Sequence, residues 1–172
     1  MSKGTAIRVY LGPVLLLVLA LLQVTMMPRL TIAHLQPDLV LATVVCWALY
    51  NGPSHGALSG FIGGLALDMV SGGPFGMHTF VMSIVGALAG FGAALLPREH
   101  FMLLPTVAVL CTLTQEGVSV WLLRAAGWPL QWGQILLPVV IPAAIINLFL
   151  TVLVYPLVGL LHRRTAPKEL GW

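Results

Sequence analysis

Charge is what this chain has least of. Asp, Glu, Lys and Arg together supply 8% of its 172 residues, whereas soluble domains carry about 25%. So few charges cannot clothe a water-facing surface. With 59% hydrophobic residues and a mean hydropathy of +1.00, the chain reads as an integral membrane protein. Cysteine is scarce too, with two residues. Cys46 and Cys111 lie in separate apolar runs, form no CxxC pair and have no histidine at metal-ligand spacing, so they read as small buried hydrophobes. No two histidines are spaced as zinc ligands. The pairs Gly63-Gly64 and Gly72-Gly73 lack the Lys-Ser/Thr of a phosphate loop, which excludes ATP hydrolysis by this chain. No cofactor or metal is called for. The net charge of +3 would suggest nucleic acid in a soluble protein. Here the basic residues cap the apolar runs, which is the pattern of membrane topology.

What is present is a series of long, continuous apolar runs. Barrel strands would alternate in segments of about ten residues, so helices are expected. The fold class expected is an all-α integral membrane protein, a single six-helix bundle with spans of about 8–27, 37–50, 55–70, 76–96, 101–126 and 134–162. The first span resembles a signal peptide, with Val18-Leu19-Ala20 as a weak cleavage site. Its apolar run continues past that point, so it reads as a retained helix. The second is short for a crossing; Pro37 and Asp38 suit its first turn. Pro138, Pro142 and Pro156 are expected to kink or split the last.

Six crossings put both termini on one side. Lys3, Arg8, Arg98, Arg163, Arg164 and Lys168 would then share the inner face, against Arg29 and Arg124 outside. The positive-inside rule places both termini in the cytoplasm. Trp128 and Trp132 fall at the outer interface, and Tyr10 and Tyr50 near the inner one.

The third span carries Gly56, Gly60 and Gly64 at every fourth position, and the fourth carries Gly86, Gly90 and Ala94. Glycines so spaced strip one ridge of side chains, and another backbone can approach closely. The partner of the ridge is the neighbouring span, a second copy in a homodimer, or another protein. Four residues beyond Gly64 stands Asp68, followed by the helix-breaking Ser71-Gly72-Gly73-Pro74 and then Gly76. Asp68 has two readings: a carboxylate that docks a partner, or a cap for the next helix.

Glu116 lies about 22 Å along the fifth span at 1.5 Å per residue, inside a hydrocarbon slab of about 30 Å. A carboxylate there needs a partner, water or a proton. Arg124 is two turns further on, about 12 Å away and too far for direct pairing. A buried polar cluster of Asp68, Glu116 and Arg124 is the resulting expectation. His55 and Ser59 share a helix face, but Ala57 replaces the first glycine of a GxSG protease motif and nothing orients His55. No catalytic residues are expected.

The run Gly60-Phe61-Ile62-Gly63-Gly64-Leu65-Ala66-Leu67-Asp68, the later Gly76-Met77-His78 and the earlier Pro37-Asp38-Leu39-Val40-Leu41 resemble the MreD family of rod shape-determining membrane proteins. The chain's size and span number are similar throughout, while the local motif is confined to Pro37–Gly86. The family pattern falls on Gly60, Gly64, Asp68 and Gly76; Glu116 and Arg124 lie outside it. The resemblance implies a fold similar to the substrate-binding subunits of energy-coupling-factor vitamin transporters. It implies a non-enzymatic place in the elongasome of the inner membrane. There the partner would be MreC, alongside RodA with its transpeptidase and the actin-like MreB, in regulating peptidoglycan synthesis. The rival expectation is a solute-binding subunit of a vitamin transporter, its ligand held near Trp121, Trp128, Asp68 and Glu116.

Overall fold

The computed structural model describes residues 15–25, 37–95, 102–128 and 139–165, and all the regular structure among them is helical. Among the described residues six helices follow one another: α1 (Leu15–Thr25), α2 (Leu39–Asn51), α3 (Pro53–Val70), α4 (Met77–Leu95), α5 (Leu103–Ala125) and α6 (Ile141–Thr165). Three are long and apolar enough to cross a membrane: α4, α5 and α6 over Ile141–Leu161.

The bundle is organised around the shortest of the later helices. α2 touches α3, α4, α5 and α6, and Gln23 of α1 accepts a bond from its Val40 N–H. Val40, Leu41, Val44, Val45, Cys46 and Ala48 are enclosed on every side. Its sequence is apolar all round, as a helix with no water-facing side must be. That explains its length. Thirteen residues span only about 20 Å, and neighbours rather than lipid cover most of the helix.

Pro53 opens α3 at the first-turn position, where its missing N–H costs nothing, after Gly52 at φ +88° has turned the chain. α6 runs unbroken, with Pro142 in its first turn and Pro156 inside it. The expected split at these two prolines is therefore absent; Pro138 lies outside the described residues. At the end of the bundle away from the α3–α4 turn, the Tyr50 and Tyr155 rings stack at 5.0 Å.

α3 and α4 share the most extensive contact among the described helices. A Cβ on Gly60 would sit 2.6 Å from the Met82 carbonyl carbon. One on Gly64 would meet His78 at 2.6 Å, and one on Gly86 would meet the Gly56 carbonyl carbon at 2.6 Å. Each step of four along α3 is matched by a step of four back along α4. The ridge is therefore filled by this chain's own helix. Of the occupants the spacing left open, the neighbouring span is the one that covers Gly56, Gly60 and Gly64 here, and a partner helix would have to displace α4 to reach them. Gly63 points elsewhere, toward Val40 and Val44 of α2.

Candidate functional site

Asp68 lies in the last turn of α3, and its carboxylate caps α4. Oδ1 accepts from the His78 backbone N–H at 2.9 Å and lies 2.9 Å from His78 Nδ1. Oδ2 accepts from the N–H groups of Gly76 at 3.0 Å and Thr79 at 2.9 Å, and from the Thr79 hydroxyl. The first amides of a helix have no partner within it, and an acid at this end also meets the positive pole of the dipole. Asp68 supplies from the preceding helix what a local cap residue usually provides. Gly76 makes the geometry reachable, since its φ of +90° turns its own N–H toward the acid. The Asp68 side chain is 0% exposed, so a partner cannot touch it; the His78 side chain, held by it, is 34% exposed. Of the two readings of Asp68, the geometry is that of the cap.

His78 lines a cavity of about 420 Å³ at this end of the bundle, together with Asp38, Gln115 and Glu116. Leu67, Val81 and Met82 form its apolar wall. Asp38 is the N-cap of α2: its Oδ1 accepts from Leu41 N–H at 2.8 Å. Its Oδ2 accepts from Gln115 Nε2 at 2.7 Å, and its own N–H donates to Asn147 Oδ1 at 3.0 Å. One residue thus ties α2 to both α5 and α6. Gln115 Oε1 is buried with no hydrogen-bond partner. Glu116 makes no hydrogen bond or ion pair with another described residue.

The expected cluster of Asp68, Glu116 and Arg124 does not form. Asp68 spends its carboxylate on α4, and Arg124 is exposed at the end of α5, paired with neither acid. Glu116 instead shares a cavity with Asp38 and His78, because α5 turns its polar face inward beside the start of α2. Asp38 was legible only as a residue favoured at a helix start, and its bond to Gln115, 77 positions away, has no local signal. Trp121 and Trp128 are 61% and 57% exposed and do not line the cavity, so they hold no ligand with Glu116. His55 is exposed, and the Ser59 hydroxyl donates to the Gly56 carbonyl at 2.9 Å, so the two make no catalytic pair. Cys46 and Cys111 are buried free thiols. No group of three or more metal-binding side chains occurs among the described residues.

No curated protein and no solved structure matches the chain. Neither the expected likeness to energy-coupling-factor subunits nor the rival transport reading has support among such matches. The family described as rod shape-determining protein MreD matches residues 3–165, nearly the full length. Together with the apolar helices, that match makes this a membrane protein of the rod-shape system: the chain belongs to the MreD family.

Proposed function

We propose that the chain is a non-enzymatic adaptor that binds an MreC-type partner and through it helps regulate peptidoglycan synthesis. The single observation behind this reading is the family match over residues 3–165. The bundle's architecture is consistent with it. The glycine ridge is consumed in holding α3 to α4, while the His78 side chain at the polar recess is 34% exposed. We place the end that carries the recess outside the cytoplasm, on the charge count of six basic residues against two. In this reading the partner docks there, through the recess rather than through the ridge, and Asp68 acts indirectly by holding His78. RodA with its transpeptidase and MreB would be reached through the partner.

The test is co-purification of the full chain with an MreC-type protein in mild detergent. Retention by the wild type supports the adaptor. Failure to retain it in native membranes, or turnover of a substrate by the purified chain, would overturn the reading.

A further inference from the structure

α2 is too short for the bundle that surrounds it. Its 13 residues span about 20 Å, against about 30 Å for a hydrocarbon slab. Two hydrogen bonds fix the level at which it starts. Gln115, whose Nε2 donates to Asp38 Oδ2, stands about 18 Å from the start of α5 and about 15 Å from its end. Asn147, whose Oδ1 accepts from the Asp38 N–H, lies about 9 Å inside the start of α6. The far end of α2 is level with the later part of α6, where Tyr50 stacks on Tyr155 and a Cβ on Gly159 would meet the Tyr50 hydroxyl. The shortfall therefore lies at one end of the bundle, that of the α3–α4 turn. There the cavity of about 420 Å³ sits over the start of α2, walled by α1, α3, α4 and α5.

The walls decide what fills it. Gln23, Ser71 and Ser119 line it as well as Asp38, His78 and Glu116. Hydroxyls and amides donate, carboxylates accept, so the lining asks for both kinds of bond. A lipid acyl chain offers neither, and a polar group buried without a hydrogen bond is costly. Glu116 lies about 20 Å along α5 and makes no hydrogen bond or ion pair with another described residue. Ionisable side chains at such depth face protein or a water-filled cavity. Water donates and accepts, and at about 30 Å³ each the volume holds on the order of ten molecules. Ser71 is exposed and the His78 side chain is 34% exposed, so the lining reaches the surface beside the turn. We propose that the cavity is a water-filled pit that opens beside the α3–α4 turn and carries solvent down to Asp38, about halfway along α5. The pit follows from helix lengths and lining, and it stands or falls apart from the adaptor reading. It leaves an apolar barrier of only about 20 Å, the length of α2, beneath its floor.

The test is cysteine accessibility in membranes of a host producing this chain without its partners, right-side-out and inverted. The probe is trimethylammonium-ethyl methanethiosulfonate, a hydrophilic cation that does not cross the membrane, read by the mass of the intact chain. Ser119→Cys and Glu116→Cys place thiols in the pit. Phe80→Cys is the control at the same depth: it stands between His78 and Val81 of the lining, but its side chain is 53% exposed on the outside of the bundle. Thiols react as thiolates, which need water, so both pit thiols should react at least about tenfold faster than Phe80→Cys. They should do so from the side on which Ser71→Cys reacts. Unmodified Cys46 and Cys111 certify that each variant is folded, and Ser119→Cys carries the comparison if Glu116→Cys fails that check. Equal rates at Ser119→Cys and Phe80→Cys would overturn the pit. So would a Ser119→Cys that stays unmodified, because lipid or protein would then fill the space, or one that reacts only from the side opposite Ser71→Cys.

Discussion

Replacing Gly60 by alanine adds one methyl group at the tightest part of the α3–α4 contact. The new carbon would lie 2.6 Å from the Met82 carbonyl carbon and 3.1 Å from Ser83 Cα, both backbone atoms that cannot rotate away. Carbon atoms rest at about 3.5–4.0 Å, so the helices must part by about 1 Å at this point. Overpacking of this kind costs about 1–3 kcal/mol. Alanine recovers up to about 1 kcal/mol of helix propensity. With the propensity gain at its full value, the net expectation is a loss of up to about 2 kcal/mol. Gly117→Ala is the internal control, because a Cβ there meets nothing within 4 Å. It should leave stability unchanged or raise it by up to about 1 kcal/mol. Reversible unfolding of both variants in mixed micelles, titrated with a denaturing detergent, reads the difference directly. Two results would refute the reasoning. One is equal stability of Gly60→Ala and Gly117→Ala. The other is a Gly60→Ala protein with undiminished stability that no longer holds its partner, which would return the ridge to an intermolecular role.

Further expectations follow from the same contacts. Asp68→Ala strands the N–H groups of Gly76, His78 and Thr79, and should cost about 1–3 kcal/mol in the same unfolding assay. Gly76→Ala forces a side chain into φ +90° and should lose about 1–2 kcal/mol; a smaller loss would mean the turn can be rebuilt. Asn147→Ala leaves the Asp38 N–H without its acceptor and should destabilise by about 1–3 kcal/mol. Ser71→Cys should react with a membrane-impermeant maleimide from the extracytoplasmic side, whereas the buried Cys46 and Cys111 should stay unlabelled in the folded protein. Labelling of Ser71→Cys from the cytoplasmic side alone would reverse the proposed orientation.

Helical class and membrane character were legible because both are properties of composition and of unbroken apolar runs. The pairing of α3 with α4 was legible too, since Ser71–Gly76 is too short to send the next helix anywhere but back along the last. What the spacing left open was the occupant of the ridge: Gly60 presents the same bare backbone whether Met82 or another molecule covers it. The polar site was less readable. Glu116 announces itself as an acid in an apolar run, but its neighbours Asp38 and His78 arrive through tertiary packing. Arg124 was drawn toward the acids by helical periodicity, which puts it on the side of Glu116, and by an expected depth near the outer face that it shares with Asp68; neither fixes the distance to another helix. Asp68 was ambiguous for a physical reason: an acid near a turn looks the same in one dimension whether it faces outward or closes back on the next helix.

That closure has a mechanical consequence. α3 and α4 are latched at the turn by one carboxylate and seated on each other along their length, backbone against backbone. Sliding or twisting one of these helices on the other would drive backbone atoms together and break the cap. The start of α2 is tied in its turn to α5 and α6 through the two bonds of Asp38, so displacing either helix relative to α2 must break one of them.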